Sequence, residues 1–291
     1  MRTSVTLNSL KLQCTRFRNL PLTIVAAAMV FVMPSRPMIY AQSDACEGVS
    51  DNGRAYANPA LFAQRRAEWL ACIESRPRDV LVIEQAADFV SIVDPELAQD
   101  LYEKARAIEP EDPRWPLKLA QLHSRTALRS SDPAHEAKLA LAEAERALAM
   151  GASDTSLAQI AFDAGDLGKA RAYAGQHIAT AAASPRDWNT GNLIHKGNLV
   201  LGRVAVREGR IADAVTFLRR SGETPGSPQL NSFGPNMSLA RDLLEAGETD
   251  AVLAYFEQCR SFWKMGGSQL DRWADDVRAG KIPNFGANLR Y

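Results

Sequence analysis

The sequence predicts an all-α protein in which helical hairpins repeat along the chain. Alanine is abundant, aromatic residues make up only 7% of the 291 residues, and Val/Ile-rich runs typical of strands are scarce. The stretch LGRVAVREGRIADAVTFL, residues 201–218, shows the repeating unit. Gly202 and Ala205 mark one helix, Gly209 can end it as a left-handed cap, and Ala214 opens the buried face of a second helix. At 46% hydrophobic and 23% charged, the chain is globular in composition and long enough to bury a continuous core.

The first element is a predicted signal peptide, residues 1–41. A basic segment without acidic residues precedes the uncharged apolar run Leu20–Met33, and small residues follow it. The run has 14 residues, fewer than the roughly 20 of a membrane-spanning helix. We therefore predict cleavage after Ala41, with Ala45 as the second choice, and a secreted or periplasmic protein without an integral membrane span. An uncleaved leader that tethers the chain to the membrane is the alternative.

Cleavage would change both the charge and the cysteine content. The leader carries five of the 34 basic residues, so 29 basic and 34 acidic residues remain, a net charge of −5. This balance gives no electrostatic reason to expect nucleic acid as a partner. Residues 42–58 are predicted to be a disordered or tethered tail. Export permits disulfides, so Cys46 and Cys72 are a candidate pair, and Cys259 is expected to be a buried free thiol.

The hairpin pattern extends over residues 59–264. A half-unit begins at Pro59, and further units follow around residues 80–110, 113–147, 157–179, 201–221 and 237–259. Small or aromatic residues recur in them at fixed spacings: Ala86, Phe89, Ala98, Tyr102, Ala105 and Pro110; Leu119, Ala120, Ala140, Ala144 and Ala147; Ala158, Ala161, Gly165 and Ala170; Ala240, Leu243, Gly247, Phe256 and Cys259. The second full unit carries an insertion of about eight residues within RTALRSSDPAHEA, residues 125–137, and ASPRDWNTGNLIH, residues 183–195, reads as a spacer.

These positions resemble the tetratricopeptide repeat (TPR), a 34-residue helix-turn-helix unit. The resemblance implies an α-solenoid of TPR-like repeats, closed by an atypical terminal unit. Residues 265–291 fit a capping helix and C-terminal tail. In this part Ser268 and Asp271 form a predicted capping box, Leu270, Trp273 and Val277 form one apolar face, and Gly280 ends the helix.

No catalytic or cofactor-binding motif is present in the sequence. GDLGK, residues 165–169, is too short for a phosphate-binding loop and reads as a turn between helices. None of the four histidines has a partner at helical ligand spacing, and a metal site would require the insertion to bring His135 near another histidine. The sequence therefore predicts a non-catalytic protein without metal or cofactor. An enzyme with a site on the irregular segments 125–139 and 225–236 is one alternative.

In proteins of the resembled family, the first helices of successive repeats line a concave groove. Transferred to this chain, two offsets give the candidate groove residues Gln121, Gln159, Arg203 and Arg241, and Arg125, Asp163, Arg207 and Glu245. The arginines suggest an anionic partner, a protein or peptide bound through acidic side chains or its C-terminal carboxylate. They are equally compatible with ordinary solvated helix surface. A structural, self-associating envelope component is the second functional alternative.

Two short segments share the pattern Phe-Gly-x-Asn: SFGPN, residues 232–236, and NFGAN, residues 284–288. Glycine and asparagine favour turns, so we expect loops. Phe233 and Phe285 are expected to tuck against adjacent helices, although exposed aromatic residues on loops can also serve as docking points.

Overall fold

A computed structural model describes residues 52–152 and 156–289, and the predicted signal peptide and Cys46 lie outside these ranges. The described residues form α-helices and two short 3-10 helices, without strands. The α-helices are α1 Asn52–Ala55, α2 Pro59–Ser75, α3 Val80–Val90, α4 Pro95–Ile108, α5 Arg114–Thr126, α6 Pro133–Ala149, α7 Leu157–Asp163, α8 Leu167–Ala183, α9 Thr190–Arg207, α10 Ile211–Gly222, α11 Pro228–Phe233, α12 Ser238–Glu245, α13 Thr249–Cys259 and α14 Gly267–Arg278. The 3-10 helices are Lys264–Gly266 and Gly286–Leu289. The all-α prediction is confirmed for this part of the chain.

Most helices that follow each other in the chain pack together, whereas α11 packs against α9, and α9 also contacts α7 and α12. The buried side chains form three successive groups, which run from α1 to α5, from α5 to α9 and from α9 to the C-terminal segment. Each group shares one helix with the next. The predicted small and aromatic positions are buried as expected, including Ala86, Tyr102, Ala120, Ala170 and Phe256. Local pairing of amphipathic helices therefore builds the core.

Three hairpins, α7–α8, α9–α10 and α12–α13, are joined by the same turn. In each, a glycine adopts a positive φ, 80° at Gly165, 74° at Gly209 and 88° at Gly247. The residue after each glycine donates its backbone N–H to a carbonyl five residues earlier, at 2.9–3.0 Å. This arrangement is a Schellman cap, which satisfies helix-end carbonyls and requires a left-handed residue. The cap predicted at Gly209 is therefore present, and Gly165 and Gly247 form the same cap.

The spacer predicted to run to His195 is shorter in the structure, because α9 already begins at Thr190. Leu201 consequently lies in the second half of a helix and not near its start. Glycine and asparagine lower helix propensity, but here the small residues allow close packing. A Cβ atom on Gly191 would lie 1.9 Å from the Gly226 carbonyl oxygen, and one on Gly202 would lie 2.2 Å from Leu239 Cδ2. Gly202 thus brings α9 against α12, the first helix of the next hairpin.

The C-terminal helix α14 is where the sequence predicts a capping helix, but its start differs. It begins at Gly267, directly after a 3-10 turn, and no side chain caps it. The Ser268–Asp271 capping box is therefore wrong, because Ser268 already lies inside the helix. Leu270, Trp273 and Val277 are buried as predicted, and Gly280 follows the helix end with φ 72°.

The segment before α2 is packed over its described part. The Tyr56 ring stacks 5.9 Å from Phe89, and its hydroxyl donates to the Phe89 carbonyl at 2.9 Å. Tyr56 therefore attaches this part of the segment to α3, and residues 42–51 lie outside the described ranges. Among the helices of the described ranges, none is sufficiently long and apolar to span a bilayer.

Candidate functional site

The predicted groove residues on α7, α9 and α12 lie together, and Arg203 is at their centre. Its Nε donates to Asp242 Oδ2 on α12 at 2.9 Å, and both side chains are mostly buried, at 13% and 16% exposure. Its guanidinium also lies over the Phe162 ring of α7, 4.3 Å from the ring centroid. Arg203 therefore links the first helices of three successive hairpins. Its charge is already paired, so it is a fixed part of the site.

Arg207 lies one helical turn further along α9 and is exposed. Its guanidinium also stacks on the Phe162 ring, 5.4 Å from the ring centroid. No ion pair to Arg207 is found within the described ranges of the chain. A stacked guanidinium keeps its N–H edge available for a carboxylate, so Arg207 is the arginine of this cluster best suited to contact a ligand.

Asp163 and Gln159, both on α7, complete this part of the cluster. The Gln159 side-chain amide donates to Asp163 Oδ1 at 2.8 Å. Although Asp163 is open to solvent, the surrounding protein raises the pKa of its carboxyl, because desolvation outweighs attraction to Arg203 and Arg207. The pair offers an acceptor and donors beside the Arg207 cation.

Arg241, on α12, lies close to two acidic side chains. Its side chain lies 3.8 Å from Asp242 Oδ1 and 3.7 Å from Glu245 Oε1. The cluster therefore contains three arginines and three carboxylates, those of Asp163, Asp242 and Glu245. Positive charge is therefore not in excess in this region, because acids from neighbouring turns and helices face the arginines.

The two α5 candidates, Gln121 and Arg125, are exposed and stand apart from this cluster. Within the described residues, no hydrogen bond or ion pair joins them to α7, α9 or α12. Arg125 instead acts electrostatically on Tyr102, whose hydroxyl donates to Asp88 of α3. Lys118 of α5 also donates to Asp88, at 2.7 Å. An ion pair therefore links α3 to α5, the first helices of two successive hairpins, as another ion pair links α9 to α12.

A buried polar network, which the sequence analysis missed, joins the N-terminal half of α9 to the segment 221–238. His195 is 1% exposed, and its Nδ1 lies 3.1 Å from the Ser221 carbonyl oxygen. Its Nε2 accepts the backbone N–H of Asn236 at 3.0 Å. Burial lowers the pKa of His195 to about 4, so the imidazole is neutral. The Ser227 hydroxyl donates to the Asn192 side chain at 2.6 Å.

Both irregular segments considered for an enzyme site are tied into the fold. Residues 225–236 carry the network just described, and in 125–139 the Glu136 carboxylate lies 2.8 Å from His123 Nδ1. His135 is exposed. Over residues 52–152 and 156–289, no three His, Cys, Asp or Glu side chains are grouped in a way that can hold a metal ion.

The two Phe-Gly-x-Asn segments bind each other. The Asn288 side-chain amide donates to the carbonyls of Phe233, at 3.1 Å, and Pro235, at 2.9 Å. The Met237 N–H donates to the Asn288 carbonyl at 2.7 Å. Phe285 is buried, as predicted. Phe233 ends helix α11 and is 65% exposed, so the expectation that it lies in a loop and buries itself against adjacent helices is wrong. The glycine after it, Gly234, lies against the Trp263 ring, where an added Cβ atom would be 2.5 Å from Trp263 Cε2.

The two predicted roles for cysteine fall in different parts of the molecule. Cys72 is buried in α2 and is disulfide-bonded, whereas Cys46 lies outside the described residues. The Cys46–Cys72 pair therefore stays a prediction. Cys259 is free and buried in α13, and burial raises the pKa of its thiol, as expected for a structural cysteine.

The sequence was compared with protein-family models and with curated proteins, and neither comparison gives a match.

Proposed function

We propose that this protein is an exported, non-catalytic binding scaffold, a TPR-like α-solenoid whose groove holds a protein or peptide partner. The observation that carries the proposal is the convergence of α7, α9 and α12. These helices are the first members of three successive hairpins, and their candidate groove residues meet around Phe162 and Arg203. Repeated hairpin turns at Gly165, Gly209 and Gly247 add to the support.

The proposed mechanism is a preformed site with one contacting cation. Asp242 and Phe162 hold Arg203, which in turn keeps the three helices in register. Arg207 stacks on the same ring and directs its N–H groups toward an anionic group of the partner, such as an acidic side chain or C-terminal carboxylate. Asp163 and Gln159 bind donors and acceptors of the partner's backbone. Little ordering is required on binding, so less affinity is lost to conformational entropy.

The site suggests a test based on charge reversal at Arg207. Fluorescent peptides with acidic C-termini would be screened against the chain from Gln42, together with the same peptides amidated at the C-terminus. Arg207→Glu should weaken binding about tenfold or more, because a hydrogen bond to a charged group contributes about 1.5–3 kcal/mol. Arg203→Glu is a poorer test, since it also breaks the buried pair with Asp242.

Arg219→Glu is the matched control. Arg219 lies on α10, its side chain is 57% exposed, and its partner Glu223 directly follows the last residue of that helix. Both variants must keep the helicity and melting temperature of the parent chain. Equal peptide binding by the two variants, or binding of no acidic peptide by the parent chain, would contradict the proposal.

The proposed export has its own test. The N-terminus of the protein recovered from outside the cytoplasmic membrane should be Gln42, or Cys46 for the second cleavage site. Recovery of a chain that still begins at Met1 would favour the membrane-tethered alternative.

A further inference from the structure

The C-terminal segment Asn284–Leu289, here called the tail, fills a groove built by α13, α14 and residues 233–237. Phe285 is the deepest residue of the tail and is 2% exposed. Its ring packs edge-on against Trp273, with centroids 5.0 Å apart, and lies 6.3 Å from Phe256. The groove thus contains an apolar pocket of the size of one aromatic side chain.

Hydrogen bonds bind the rest of the tail. The Trp273 indole N–H donates to the Asn284 carbonyl at 3.3 Å, and the Met237 N–H donates to the Asn288 carbonyl at 2.7 Å. The Asn288 NH2 group donates to two backbone carbonyls, those of Phe233 and Pro235. An aspartate at this position has no donor to offer when ionised. The groove therefore recognises an aromatic residue followed, three residues later, by an asparagine.

The hinge that an exchange requires lies around Gly280 and Ile282, before the buried Pro283. Gly280 adopts φ 72°, and Ile282 is 49% exposed. No hydrogen bond to Ile282 or Pro283 occurs within the described part of the chain. The tail's polar contacts to residues 233–237 cross more than 50 residues of sequence, so a neighbouring molecule can supply the same contacts.

We propose that this groove also binds the tail of a second copy of the protein, so that two chains associate by exchanging their tails. The one segment that the structure shows to fit the groove is this chain's own tail. Exchange replaces each contact by an identical one, which makes it a low-cost route to a dimer. Met265, 81% exposed, directly precedes Gly266, which lies against Trp263 at the edge of the groove. The inference concerns a different surface from Arg207 and does not rest on the proposed function.

The test uses full-length mature chain and a fluorescent peptide of residues 284–289 as the probe. A variant carrying Phe285→Ala and Asn288→Ala keeps the groove but disables its own tail. The peptide should bind this variant at least about tenfold more tightly than the parent chain, where the tethered tail competes at a high effective concentration. Peptides with Phe285→Ala or Asn288→Asp should bind neither chain.

Light scattering across concentration gives the second readout. The parent chain should form dimers at high concentration that excess peptide dissociates, whereas the tail-disabled variant should stay monomeric. Peptide that binds neither chain, or both equally, would overturn the inference, as would equal dimerisation of both chains. If circular dichroism shows that the double variant does not fold, the single variant Asn288→Ala replaces it. It retains Phe285 in the pocket, and the same ranking of peptide affinities is required.

Discussion

Acidification is expected to destabilise the protein through His195. The buried imidazole is neutral in the folded state, with a pKa of about 4 in place of its ordinary 6.5. Protonation would place a second N–H on Nε2, which now accepts the Asn236 N–H. Because the folded pKa is the lower one, the unfolded chain binds the proton first as the pH falls. The stabilising contribution is therefore complete above pH 6.5 and is lost progressively between pH 6.5 and 4.

The size of this loss follows from the two pKa values. Each pH unit between them changes the free energy of unfolding by about 1.4 kcal/mol, so the total is about 3 kcal/mol at pH 4. Urea unfolding followed by circular dichroism at pH 7.5, 6.5, 5.5 and 4.5 would measure it. Other parts of the chain can also respond to acidification, so the parent chain must be compared with a variant that differs only at residue 195.

His195→Gln is the appropriate variant, since a glutamine amide can donate to Ser221 and accept from Asn236 without titrating. Its stability at pH 7.5 should be lower, but the difference from the parent chain should shrink as the pH falls. The reasoning is refuted if the difference in unfolding free energy is constant from pH 7.5 to 4.5. A proton resonance of His195 that titrates near pH 6.5 in the folded protein would refute it as well.

Three further predictions test other parts of the structure. Arg203→Ala should lower the free energy of unfolding in urea by about 1–3 kcal/mol, because it leaves the mostly buried Asp242 carboxylate without its partner. Arg219→Ala, at an exposed position of α10, should change it by less than about 1 kcal/mol. Equal effects would contradict the fixed role of Arg203. Gly202→Ala should lower the free energy of unfolding by about 1–3 kcal/mol, because the added methyl group would collide with Leu239. Gly175→Ala on α8, where the added methyl group meets open space, should raise it by about 0.5–1 kcal/mol. A stabilising Gly202→Ala would show that α9 and α12 are not closely packed. Peptide mapping of the exported chain without reduction should show Cys46 linked to Cys72, and Cys259 should react with an alkylating reagent only after unfolding; rapid labelling of Cys72 would exclude the disulfide.

The helices, their pairing and most of their turns could be predicted from sequence because short-range chemistry determines them. Alanines at helical spacing lie in the core, and glycines after the helices form left-handed caps, as at Gly165 and Gly209. The start of α9 could not be predicted in this way. Gly191 and Asn192 read as part of a spacer, and only tertiary packing against residues 224–227 makes a helix of them.

The site was predictable in position but not in charge. The repeat offsets predicted that Arg203 and Arg207 lie together. They contain no information about Asp242, the ion-pair partner of Arg203, which lies 39 residues further along the chain. Asp242 belongs to the next hairpin, and its pairing with Arg203 depends on how closely the two hairpins approach. The matching Phe-Gly-x-Asn segments were visible in the sequence, but their mutual binding depends on hydrogen bonds between a side chain and backbone carbonyls, which no residue pattern specifies.

The bond between Met237 and Asn288 has a consequence for the order in which the protein can be completed during synthesis. Most of the chain packs against its immediate neighbours, so each hairpin can form soon after its own residues emerge, and contacts of this local kind assemble quickly. The final cover over Phe256 and Trp273 is different, because it forms only once residues 284–289 are available. A chain truncated before Asn284 would carry every hairpin and still lack the Phe285 ring that packs on both aromatic side chains. Exposed apolar surface of this kind makes incompletely folded chains prone to aggregate.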